Sequence, residues 1–158
     1  MGARVVPATA AEHDTAVARI SHVPHLLAAA LTLSAEDPLA ISLAAGSFRD
    51  GTRVAATRPE LTAAMCAGNW SSVHRELDAL IGDLRQMADA LTSADPVTAL
   101  MPILTLASTQ RRSWPPAPGT SESITADVPA LLALGRSGGW VTSVDETGLS
   151  TMRPEPDR

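Results

Sequence analysis

Residues 70–91 read WSSVHRELDALIGDLRQMADAL, and their apolar positions are Trp70, Val73, Leu77, Leu80, Ile81, Leu84, Met87 and Leu91. The spacings are mostly three and four. At about 100° per residue this places them in one broad stripe along a helix and leaves the other side polar. A rod of this length, roughly 33 Å at about 1.5 Å per residue, has to cover that stripe with other helices. The chain has one Phe, three Trp and no Tyr, within a hydrophobic content of 45%. Its core is therefore aliphatic, built mostly from Leu, Val and Ala, and that favours helices over a β-sandwich. The expected fold is mostly α, and 158 residues suit one domain, or a domain with an appendage.

The other elements follow from local signals. Ala3–Val6 reads as a scrap of strand ended by Pro7, too short to form a sheet with anything nearby. It has the look of the last strand of a domain that is not in this chain. Thr9 and Glu12 have capping-box spacing, so a helix is expected from there to about Leu33. Asp37-Pro38 offers a second start, for a short helix ending near Ala45-Gly46. The stretch GSFRDGTRVAATRPE, 46–60, is polar, holds two glycines and reads as a loop. Thr57 and Glu60 give another capping-box pattern, before a helix over Leu61–Ala67 that Gly68-Asn69 breaks. Asp95-Pro96 starts a helix to about Gln110. The run RRSWPPAPGTSES, within 111–125, is a linker by composition. A short helix over Ala126–Leu134 and a β-hairpin over 139–154, turning at Asp145–Gly148, make up a small appendage over 126–158.

Composition and charge also exclude function classes. The net charge of −5 and 18% charged residues give neither a basic stripe for nucleic acid nor a solvated linker. Cys66 is the single cysteine, so no intrachain disulfide forms, which suits the cytoplasm. The apolar run Leu26–Leu31 is far short of the ~18 residues of a membrane span, and no membrane role is expected. The N-terminus lacks the charged-then-apolar pattern of a signal peptide. Gly-rich βαβ fingerprint, P-loop and nucleophile elbow are all absent from the sequence.

Two stretches carry chemistry. In SHVPH, Pro24 lies between His22 and His25 within an apolar helix, at a cost of about 3 kcal/mol unless the chain bends. Pro24 frees the carbonyl of Ile20. Asp14 and His25 fall about 20° apart on an ideal helix, and Ser21 lies four residues before His25 on the same face. The plainer reading is a kinked core helix whose histidines bond to neighbouring helices. A metal set of His13, His22 and His25 does not share a face and matches no known spacing with Cys66, so no metal is expected. In the polar loop, Arg49, Asp50 and Arg53 fall within five residues. Guanidinium groups take carboxylates bidentately, Asp50 can hold one arginine in place, and Gly46 and Gly51 let backbone approach a ligand. The plainer reading is a surface loop with solvated charges. Together the two stretches suggest a pocket for a small anion.

AAEHDTAVARISHVPHLLAAAL followed by AAGSFRDGTRVAATRPEL resembles the C-terminal helical domain of prephenate dehydrogenases over about residues 2–92. The shared positions are His13-Asp14, then Ser21, His22, Pro24 and His25, then Gly46, Phe48, Arg49, Asp50 and Arg53, with Asn69 and the long helix behind them. The resemblance implies a helical dimerisation domain of the 6-phosphogluconate-dehydrogenase C-terminal type over 9–110, with 1–8 the remnant of the last strand of a Rossmann-type domain. It implies NAD-dependent oxidative decarboxylation of prephenate, or of arogenate, in tyrosine biosynthesis, with NAD held by that missing domain and none by this chain alone. It implies a homodimer, a substrate carboxylate on Arg53, a substrate hydrogen bond from His25, the Gly46 backbone lining the pocket, and Asp50 paired with an arginine. Arg49, Ser21 and His22 would support them. The catalytic histidine of the family belongs to the nucleotide domain, so no catalytic residue is expected here and the chain alone is expected to be inactive. Thr62 stands where many members carry Trp, which removes an indole donor. Two other readings remain: a free-standing, non-catalytic helical dimer that binds an aromatic-pathway acid, and a purely structural dimerisation domain.

Overall fold

A computed structural model describes residues 4–145 and 148–155. Two compact units emerge, one over 11–85 and one formed by the chain before it together with 86 onward. The division falls inside the long helix.

The first unit is helical. Helix α1 spans Ala10–Val17 and α2 spans Val23–Leu33, joined without a break by a π-helical turn over Ala18–His22. The wide turn is the chain's answer to Pro24, which takes one of the first positions of α2. Pro24 has no N–H to return to Ile20, and the wider turn lets Val23 N–H bond the Ala18 carbonyl instead. Counted through the turn, the rod runs Ala10–Leu33, 24 residues, and meets the length and hydropathy of a membrane span. The run Leu26–Leu31 is thus part of a longer apolar rod, of a length and composition that core helices of soluble proteins share. Helix α3 (Pro38–Leu43) starts on Asp37, whose carboxylate accepts from Ala40 N–H at 2.8 Å. Helices α4 (Gly46–Thr52), α5 (Pro59–Gly68) and α6 (Trp70–Leu91) follow, with a 3₁₀ turn over Arg53–Ala56 between α4 and α5. Ala18, Val23 and Val73 form the buried centre, with Leu26, Cys66, Leu77 and Leu80 against it.

The second unit holds α7 (Pro96–Arg112), capped by Asp95, then β1 (Pro118–Ile124), α8 (Val128–Arg136), β2 (Trp140–Asp145) and β3 (Gly148–Pro154). The strands form an antiparallel sheet in the order β1-β3-β2. Leu134, Trp140, Leu149 and Thr151 are among its buried residues, and Thr151 Oγ1 donates to the Glu122 carbonyl. Helix α8 ends in a Schellman motif: Gly139 N–H returns to Leu134 O and Gly138 N–H to Gly135 O, with Gly138 at φ 75°.

Three expectations change. Residues 46–56 are not a loop but α4 and a 3₁₀ turn, with Arg49 N–H on Ala45 O and Thr52 Oγ1 on Phe48 O. The 111–125 linker contains β1, which pairs with β3. The strand scrap does find a partner: Val5 bridges Val141, and Arg4 lies over the Trp140 ring at 3.8 Å. A Cβ added at Gly135 would overlap the Pro7 carbonyl oxygen, so glycine is needed where this segment passes α8. The part of that scrap at Ala3, and the hairpin turn at Glu146-Thr147, lie outside the described residues.

Candidate functional site

The π turn and Pro24 set which way the SHVPH side chains point. His25 is half-buried, and its Nδ1 lies 2.9 Å from the Ser21 carbonyl oxygen. A carbonyl only accepts, so Nδ1 carries the hydrogen. In the neutral ring Nε2 is then a bare acceptor. It faces a cavity of about 310 Å³ lined by Leu26, Ala29, Val54, Thr57, Thr62 and Cys66 among others. The one hydrogen bond described for Nε2 is with Thr57 Oγ1, at 3.4 Å. Thr57 was expected to cap α5. Instead α5 begins at Pro59 after Arg58, with no side-chain cap, and the Thr57 hydroxyl turns toward His25. Burial pushes the Cys66 thiol above its usual range, which makes it a poor nucleophile.

Pro24 lines a different cavity, about 480 Å³, with Arg19, Val23, Leu27, Asp50, Gly51, Val54, Glu76 and Asp83 among its walls. Glu76 is buried and accepts from Arg19 Nε at 2.8 Å and from Arg75 Nε at 3.5 Å. The Arg19 hydrogen bond holds the Glu76 carboxyl below the usual carboxylate range, against the opposing effect of burial. The same bond pushes Arg19 up. Sequence reasoning missed this group. The signal was present: Glu76 lies between Val73 and Leu80 on the stripe of α6, where a lone carboxylate needs a partner.

The other expected site residues are placed as follows. Asp14 does not meet His25. The π turn between them breaks the ideal 100° register, and Asp14 pairs with His13 at 3.2 Å while its carbonyl accepts from Asn69 Nδ2 at 2.7 Å. His22 is buried, with Nδ1 lacking a hydrogen-bond partner. Asp50 pairs with Arg49 at 3.3 Å, both exposed, so the pair contributes little. Arg53 opens the 3₁₀ turn and is exposed, with no ion pair or hydrogen bond to its guanidinium among the described residues. Gly46 is half-buried at the start of α4. Neither Arg53 nor Gly46 lines the cavity beside His25. Among the described residues no three His, Cys, Asp or Glu side chains cluster as metal ligands would.

Residues 9–104 match a family model described as the dimerization domain of prephenate dehydrogenase. Cyclohexadienyl dehydrogenase of Zymomonas mobilis is 34% identical over 102 residues, which cover 60% of this chain and 34% of that protein. The crystal structure of Synechocystis arogenate dehydrogenase matches with a TM-score of 0.62 at 32% identity, covering 68% of this chain and 41% of that one. Prephenate dehydrogenase from A. aeolicus, solved in complex with hydroxyphenyl propionate and NAD+, matches with a TM-score of 0.58 over 65% of this chain and 37% of its own. At 22% identity that likeness bears on the fold alone. The chain spans about a third of the length of the Zymomonas relative.

Proposed function

The chain belongs to the prephenate dehydrogenase family, and on that premise we propose that it supplies the dimerisation and substrate-binding part of an NAD-dependent oxidative decarboxylation of prephenate or arogenate. In that reaction the ring loses a hydride to the nicotinamide and its carboxylate as CO2, leaving a phenol. Formation of the aromatic ring drives the step once the substrate is oriented. The described residues hold three antiparallel strands and no glycine-rich strand-to-helix turn to cradle a pyrophosphate, so they do not fit the nucleotide. NAD is assigned to another domain, and this chain alone is assigned no turnover. A cytoplasmic homodimer in tyrosine biosynthesis is part of the same reading.

Within it, Arg53 takes a substrate carboxylate, Gly46 lines the site with backbone, and His25 hydrogen-bonds the substrate, with Asp50, Arg49, Ser21 and His22 in support. The observation that carries the reading is His25, fixed through Nδ1 on Ser21 and turned toward a largely apolar cavity large enough for a ring. Arg53 lies outside the lining of that cavity, and its exposed guanidinium has no ion pair among the described residues to compete with a carboxylate. Calorimetric titration of the purified chain with prephenate and with arogenate tests it. Saturable heat is expected for at least one, weakened about tenfold or more by Arg53→Ala, as for the loss of a charge-assisted contact. No heat with the wild-type chain, or binding unchanged by Arg53→Ala, would remove the reading.

A further inference from the structure

We propose that His25 is a specificity-determining acceptor, whose Nε2 takes a hydrogen bond from an α-ammonium N–H of the ligand and so favours an α-ammonium acid over the matching α-keto acid. The inference rests on the reading that this chain binds the substrate acid, and adds which chemical form of that acid the site prefers.

Four observations converge on it. First, Ser21 O accepts from Nδ1 at 2.9 Å, which fixes the ring proton on the side away from the cavity. Second, the cavity that His25 lines is walled mostly by carbon, from Leu26, Ala29, Val54 and Ala63 among others, and its lining holds no carboxylate. Third, Thr57 Oγ1 is a hydroxyl at 3.4 Å from Nε2. Beside a bare acceptor it can only be the donor. Its long contact leaves the Nε2 lone pair open to a stronger one. Fourth, the partner that holds the ring from behind is a backbone carbonyl within the π turn, so the acceptor is set by the backbone and does not depend on the ligand.

The chemical consequence is asymmetric. An ammonium beside the ligand's carboxylate offers N–H to Nε2 in a charge-assisted bond. A keto oxygen at the same carbon offers only lone pairs and leaves the acceptor unpaired in an apolar cavity. Sites built around a specific hydrogen-bond partner discriminate strongly against the analogue that lacks it. Thr57 and Thr62 hydroxyls can rotate to serve either ligand, so they do not reverse the preference.

The test uses L-phenylalanine and phenylpyruvate, which share ring and carboxylate and differ only at the α-carbon. Calorimetric titration of the whole chain is expected to give about tenfold tighter binding of the amino acid. In His25→Leu the two affinities converge, whereas Thr57→Val, which removes the competing hydroxyl and keeps the ring, retains the preference. Long-range imidazole nitrogen spectra of the wild-type chain, which need no variant, are expected to show the neutral ring of His25 protonated at Nδ1. Equal or tighter binding of the keto acid overturns the inference and leaves the substrate-binding reading standing. So does a preference that survives in folded His25→Leu, or a ring protonated at Nε2. Absence of binding by both probes together with prephenate and arogenate overturns both.

Discussion

Glu76 shows how a single residue can carry pH dependence into a helical core. Its carboxylate is buried and takes hydrogen bonds from Arg19 and Arg75, and the Arg19 bond holds it below the usual carboxylate range. A group depressed in the folded state contributes stability above its unfolded value, which for a glutamate is about pH 4.3. That contribution is lost as pH falls through the lower folded value. The urea midpoint of the wild-type chain is therefore expected to fall as pH drops from about 5 to about 3. Glu76→Gln keeps the shape and removes the charge, so its midpoint lies lower at neutral pH and falls less steeply with acid. Parallel curves for the two proteins would count against the argument. Asp95 and Asp127, also depressed, first by the Thr98 and Thr125 hydroxyls and then by the capping N–H bonds, contribute a slope common to both. At this scale legibility depended on the backbone. Ser21 and His25, four apart, do meet, through the Ser21 carbonyl, whereas Asp14 and His25, with the whole π turn between them, do not, because no spacing rule reveals a π turn.

Elements defined by their own side-chain pattern were legible, and those defined by a partner were not. The starts of α3 and α7 follow from Asp-Pro pairs that serve as N-cap and first turn, and α6 matches its stripe end to end. Strand β1 was hidden: PGTSESI is mostly small and polar, its burial is slight, and its partner β3 specifies it through backbone pairing. Helix α4 was hidden for a similar reason, with two glycines, no side-chain cap and a half-buried Phe48. The appendage nevertheless has a core of its own, centred on Leu134, which is fully buried. Leu134→Ala is expected to destabilise it by about 2–5 kcal/mol, the range for truncating a leucine in a packed site. Denaturant unfolding followed by the near-ultraviolet signal of the buried Trp140 would measure this. A loss below about 0.5 kcal/mol would mean that the site is surface-like.

On the whole molecule, much of what the sequence pattern promised to bury stays open in a single chain. Trp70, Leu84 and Leu91 are exposed on the stripe of α6. On α7, Val97 is 72% exposed, Met101 55% and Leu104 51%, at spacings of four and three that place them on one face. The stripe of α6 is legible as a helix, and the single chain leaves part of it open. Scattered exposed leucines need no explanation, but an aligned row on a long helix of a dimerization domain does. The homodimer proposed above gives it one, since a stable pair covers about 800 Å² on each copy. Sedimentation velocity at micromolar concentration is expected to show a dimer. Replacing Met101 and Leu104 together by Glu puts two like charges, with their symmetry mates, into the proposed contact, and should weaken association by about a hundredfold or more. The helical circular-dichroism signal should persist, because both side chains are already exposed in the single chain. A wild-type chain that sediments as a monomer would refute the dimer. A double variant that still dimerises with wild-type affinity would move the contact off this face of α7.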